Sequence, residues 1–212
     1  MPFTGDEIEH IKLARSIIEF GIPLHKGEYP SEPVYWYGHP PFFDYSLALG
    51  LMLGIPESHI RIVPMVYTLI TAILIFLICL KIEKSGRLGV LTVFIYLINP
   101  LGIQSSLFIE LDSSVVAFSI ALFVYLFMKF HNSMQTRHLI ILGLVFSLCL
   151  WSKLTTPFVI PISMMIYYWI KKKMWWGFLN TFQITLIGTV SFLFTWIIYS
   201  YITGVPFIGP FK

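Results

Sequence analysis

Beyond residue 60 the apolar positions run on without alternation, and each run is closed by Lys, Arg, Pro or Gly. Lipid leaves helices and closed barrels as the only spanning structures, and a barrel strand alternates, so continuous runs predict membrane helices. The clearest are Ile62 to Leu80, Leu88 to about Phe108, Ser113 to Met128 and Phe178 to Ile202. Each is near the roughly 20 residues that cross about 30 Å of hydrocarbon. His138 to Ile170 supplies 33 residues. At about 1.5 Å per residue that barely suffices to cross twice, and it predicts two short helices meeting near Trp151, Ser152 and Lys153.

The first 60 residues read differently. Thr4 and Glu7 have capping-box spacing, which predicts a helix from there to Gly21. On a wheel of about 100° per residue, Glu9, Lys12, Ser16 and Glu19 share one face. Ile11, Leu13, Ala14, Ile17 and Ile18 fill the other, the pattern of a helix lying on a membrane surface. Asp6, Glu7 and His10 fall inside the apolar arc, a placement that costs energy unless a partner or substrate compensates. The acidic pair also suits a helix N-terminus through its dipole. A loop rich in Pro, Tyr and Gly, Ile22 to Pro41, leads to a second short helix from Phe42 to Leu53, stopped at Gly54-Ile55-Pro56. The Pro pair at its entrance presets the backbone and needs no amide donor.

Composition agrees with a membrane protein: 57% apolar and 12% charged residues, with a mean hydropathy of +0.79. Charge adds the orientation. Lys81, Lys84 and Arg87, then Lys129 and Arg137, then Lys171, Lys172 and Lys173 fall in the three short loops on one side of a six-crossing arrangement. By the positive-inside rule that side is cytoplasmic. The opposite side holds every acidic residue except Glu83. The expected fold is therefore all-α: a polytopic transmembrane bundle of about six spans. Residues 1–60 form an external first loop of interfacial helices, 61–203 the bundle, and 204–212 the start of a further external loop. The chain reads as an N-terminal fragment of something longer. A net charge of +3 spread in this way does not form the basic, aromatic-interleaved face of a nucleic-acid binder. Cys79 and Cys149 lie in apolar runs and make no metal pattern.

The order of features resembles the C-type glycosyltransferases that use lipid-linked sugars, in the branch of the protein O-mannosyltransferases and the bacterial aminoarabinose transferases. Gly5-Asp6-Glu7, followed by Leu13-Ala14-Arg15-Ser16-Ile17 and Gly21, is similar to that family's first external loop. His39-Pro40-Pro41-Phe42 resembles its His-Pro-Pro-Leu element. Asn99-Pro100 with Glu110-Leu111-Asp112 resembles its second acidic position beside a broken helix pair, and Gly143 through Lys153 its glycine-containing helix ending in Lys.

The resemblance implies an inverting transfer, in which an acceptor hydroxyl or amine of a protein, lipid or glycan attacks the anomeric carbon of a sugar on a polyprenyl phosphate. Asp6 is the expected general base, with Glu7 beside it to orient the acceptor or raise its neighbour's basicity. Asp112 is a second candidate, which a helix cap would explain equally well. His39, Lys153 and Arg61 are the expected contacts to the lipid phosphate, each with a snorkelling or interfacial alternative. No cofactor is expected, although Asp6, Glu7 and His10 at i, i+1 and i+4 could hold a divalent ion. The active face is expected on the non-cytoplasmic side, of the plasma membrane in a prokaryote or the endoplasmic reticulum in a eukaryote. A transporter with a broken helix at Asn99-Pro100, or a non-catalytic scaffold, are the competing readings. Against the transporter, Ile62 to Leu80 and Ser113 to Met128 carry no ionisable group at midplane.

Overall fold

The computed structural model describes residues 5–26, 33–35, 40–109 and 114–204, within which a few side chains, that of Asp6 among them, are not described. Helix α1 spans Gly5–Phe20. It stops where Gly21 takes φ 78° and donates its N–H to Ile17 O at 2.8 Å, the left-handed stop that glycine makes easily. The chain then forms an antiparallel pair, β1 (Leu24–Lys26) against β2 (Pro33–Tyr35), with His25 opposite Val34. This small hairpin lies in the segment read as loop, and the remaining elements are helical as expected.

Helix α2 (Phe42–Met52) starts after buried Pro41 and packs on α1. One wheel assignment is reversed by the hairpin. Ser16, expected on the solvated face, is 8% exposed; it donates to Ile22 O and accepts from Leu24 N, both at 2.6 Å, because the chain entering β1 folds back over it. Ile18, expected on the apolar face, is exposed.

Helix α3 (Ile62–Glu83) follows a short 3-10 turn and is 22 residues long, roughly 33 Å at about 1.5 Å per residue. The run expected as one span from Leu88 to Phe108 is instead two helices, α4 (Gly86–Ile98) and α5 (Pro100–Leu107). Asn99 breaks it: its ψ of 131° leaves the helical region and its Oδ1 accepts from Leu101 N at 2.9 Å, while Pro100 occupies the first turn where no amide donor is needed. Helix α6 (Ser114–Phe130) lies against α3. The 33-residue run divides as expected, into α7 (Thr136–Ser152) and α8 (Val159–Ile170), joined across Lys153 and a 3-10 turn. Helix α9 (Met174–Thr203) has 30 residues. Among the described residues, α3 with its preceding turn and α9 are long and apolar enough to cross a membrane; five further apolar helices are shorter.

Two apolar clusters meet along α6. Phe123, Phe127, Leu142, Phe146, Ile184 and Trp196 build the core of α6 to α9. Ile11, Ala14, Phe43, Leu47, Ile60 and Val115 join α1 and α2 to the starts of α3 and α6, and Ile120 packs against both clusters. The amphipathic pair α1 and α2 is thus seated on one end of the bundle. Most apolar side chains along α3, α4 and α9 remain outward, as expected of helices whose solvent is lipid.

Candidate active site

The first turn of α1 is held at that end by one carboxylate. Glu7 is 0% exposed, and a buried charge persists only when it is paired and hydrogen-bonded. Arg61, on the residue before α3, supplies the pair: its Nε donates to Glu7 Oε1 and its Nη2 to Glu7 Oε2, both at 2.8 Å, the two-pronged fit of a guanidinium to a carboxylate. Ile109 N donates to the same Oε1 at 3.2 Å. The Arg61 guanidinium is charged at every accessible pH. It also lies 6.0 Å from the Phe108 ring centroid, within cation–π range. Glu7 therefore binds α1, the head of α3 and the segment after α5 into one unit.

One turn further along α1, His10 Nδ1 lies 2.7 Å from Asp44 Oδ1. Asp44 is 0% exposed and His10 8%, and the Phe43 ring meets the imidazole edge-on at 5.7 Å. Asp44 is absent from the residues singled out in the sequence. The signal for it was available: it is the only charged residue in the helix Phe42–Met52, and His10 in the apolar arc required a partner. A third link is peripheral. Arg15 pairs with Glu57 through Nε and, at 2.6 Å, through Nη2, but the pair is solvent-accessible on both sides, 63% and 37% exposed, and such pairs are worth little.

Lys153 closes α7, half-buried, and its neighbour Trp151 leads to the same end of the molecule. Trp151 Nε1 donates to Thr195 Oγ1 at 2.9 Å, Trp151 and Trp196 both pack on Tyr199, and Tyr199 meets Tyr45 of α2 edge-on at 6.3 Å. Tyr45 in turn donates to Gly21 O at 2.8 Å; burial, the largest influence on its phenol, pushes its pKa up and keeps it a donor. An aromatic chain thus runs from the junction of α7 and α8 to α2.

Of the residues expected at the site, Glu7 and Arg61 are brought into direct contact, and Lys153 lies at the α7 end that faces α2. The side chain of Asp6 is not described, though its backbone is the second residue of α1. His39 and Asp112 lie outside the described residues. Among the described residues no group of three or more His, Cys, Asp or Glu is gathered as metal ligands, and Asp6, one member of the triad considered for an ion, is not among the side chains that bear on this. An apolar groove of about 510 Å³, lined by Gly86, Arg87, Val90, Leu91 and Phe94, opens at the far end of α3 and includes none of these groups.

Residues 38–199 match the family described as dolichyl-phosphate-mannose-protein mannosyltransferase. No curated protein and no solved structure matches the chain. The matched range holds His39, Asp44, Arg61, Asp112 and Lys153, while Asp6, Glu7 and His10 precede it and lie outside the match. With three quarters of its length inside that match, the chain belongs to the dolichyl-phosphate-mannose-protein mannosyltransferase family and is a membrane glycosyltransferase.

Proposed function

We propose that the protein transfers a sugar, mannose being the one its family description names, from a polyprenyl phosphate to an acceptor hydroxyl at the non-cytoplasmic membrane face. Asp6 is the general base. The observation that carries this reading is the pairing of Glu7 with Arg61 and Ile109 N. It commits one carboxylate of the acidic pair to holding α1 in place, which leaves proton transfer to its neighbour. The acceptor oxygen bonds to the anomeric carbon as its proton passes to Asp6. The bond from that carbon to the phosphate oxygen breaks with its electron pair on the phosphate, inverting the centre. A phosphate with a second pKa near ~6 departs without strong acid assistance. His39 and Lys153 hold that phosphate, Arg61, its charge already met by Glu7, stands at the same end, and Asp112, just before α6 in the sequence, contacts substrate. On this reading the chain crosses six times with its basic loops inside, so that all of these share one face.

A transfer assay in proteoliposomes, with a panel of polyprenyl-phosphate sugars and hydroxyl-bearing acceptor peptides, tests the reading. Turnover is expected with a lipid-linked donor and not with a nucleotide sugar. Asp6→Asn is expected to lower kcat by about 10²-fold or more, the range for loss of a general base. Full turnover in Asp6→Asn would remove the assignment.

A further inference from the structure

We propose that His10, held by Asp44, carries the reaction's proton away from the base: the proton that Asp6 takes from the acceptor passes to His10 Nε2 and from there to water. The inference rests on the reading above and deepens it.

Stability alone does not account for the pair. Its two polar groups sit among Ile11, Phe43 and Leu47, where apolar residues of similar volume would hold α1 to α2 at least as well. Its geometry, however, sets the chemistry of the ring. A carboxylate accepts hydrogen bonds, so Asp44 Oδ1 at 2.7 Å takes the Nδ1–H of the imidazole and leaves Nε2 as the ring atom that can exchange a proton. The Phe43 ring fixes the imidazole plane. No described residue hydrogen-bonds to Nε2, and about 10% of the His10 side chain reaches the surface, a route for exchange with water.

Position and charge point the same way. His10 follows Asp6 by four residues on α1, and residues so spaced are neighbours on one helix face. The Glu7–Arg61 clamp fixes the turn between them. A general base must lose the proton it has taken before each new turnover. When His10 takes the proton, Asp6 returns to its carboxylate form and the imidazolium is left beside the Asp44 carboxylate, an opposite charge within hydrogen-bond reach. The balance is complete without a co-reactant: the acceptor O–H breaks, its proton moves from Asp6 to His10 to water, and the phosphate leaves with the electron pair of the broken bond. His10 acts through Asp6 and is a relay, not a catalytic residue in contact with substrate.

The test uses the protein in proteoliposomes with polyprenyl-phosphate mannose and a peptide carrying Ser and Thr. His10→Asn puts an amide N–H where Nδ1 donates to Asp44 but cannot carry a proton. Its kcat is expected to fall by about 10²-fold with both KM values nearly unchanged, as for loss of a proton-transfer group. The unfolding midpoint should stay at the wild-type value. Imidazole added to His10→Gly should restore part of the turnover. Near-normal kcat in His10→Asn, or a loss that follows the unfolding midpoint and is not relieved by imidazole, overturns the relay and leaves the pair as a tie between helices. If the wild type moves no sugar from any lipid-linked donor, or Asp6→Asn works at full rate, the underlying reading fails and the relay with it.

Discussion

Glu7 and Arg61 differ in how deeply they are buried, and that difference predicts an asymmetry between their variants. The Glu7 side chain is 0% exposed and that of Arg61 19%. Removing the guanidinium strands a carboxylate with no route to water, whereas removing the carboxylate charge leaves a guanidinium that can still reach solvent. Arg61→Ala should therefore destabilise the protein by about 3–5 kcal/mol, the usual cost of orphaning a buried charge. Glu7→Gln should cost about 1–3 kcal/mol, that of a weakened buried hydrogen-bond set. Arg61→Lys should fall between, because an ammonium lacks the two-pronged fit. Chemical unfolding of the variants in detergent checks the order, and equal losses for Arg61→Ala and Glu7→Gln would contradict it. At this scale the sequence was half legible. It placed His10 and the acidic pair in an apolar arc and so announced a need for partners. It could not name them, because 54 positions separate Glu7 from Arg61 and 34 separate His10 from Asp44. The contacts depend on how α1 is laid over α2 and α3.

Lys153 and Tyr199 are carried to the site end by helices α7 and α9, whose crossing depends on two glycines. A Cβ on Gly188 would lie 2.7 Å from Gly143 O and 2.6 Å from Phe146 Cδ1, and one on Gly143 would lie 2.5 Å from Ile187 Cγ2. Neither can be accommodated without moving a helix, since one obstacle is backbone; small residues are what allow membrane helices to approach so closely. Gly188→Ala should cost about 1–3 kcal/mol, the range for overpacking a filled interior. By shifting the α7 end it should also raise KM for the lipid-linked donor, while a lipid-facing change such as Phe194→Leu should alter neither. Thermal unfolding and transfer kinetics on both variants decide this, and a harmless Gly188→Ala would mean that the two helices have room to adjust. Elements followed the hydrophobic pattern closely where runs were long or bounded by glycine, as at Gly21 and at the two helices around Lys153. They departed from it where a few residues with their own turn chemistry intervened. Asn99 and Pro100 divide one apolar run into α4 and α5, and the hairpin of β1 and β2 buries Ser16, neither of which a hydrophobicity window registers.

For the whole molecule the question is which ends of the helices share a side of the membrane. Helix length alone does not answer it, because among the described residues only the Glu57–Glu83 segment, at 27 residues, and α9, at 30, comfortably exceed the hydrocarbon thickness of about 30 Å. The basic residues supply the missing constraint. They cluster between α3 and α4, between α6 and α7, and between α8 and α9, an arrangement that satisfies the positive-inside rule only if α7 and α8 each cross. A single pass from Thr136 to Ile170 would instead carry Lys171 to Lys173 to the side that holds the acidic pair. Exposed positions discriminate the two. In a background of Cys79→Ala and Cys149→Ala, cysteines at Glu83, Asn132 and Lys171 should react with a membrane-impermeant maleimide only when the cytoplasmic face is open. Cysteines at Ser58 and Thr155 should react in sealed, right-side-out vesicles. Thr155 is the decisive position, because it follows Lys153 in the junction between α7 and α8. Labelling there from the same side as Lys171 would place Lys153 on the cytoplasmic face, away from Glu7 and Arg61, and the lipid phosphate would lose the one proposed contact that α7 delivers.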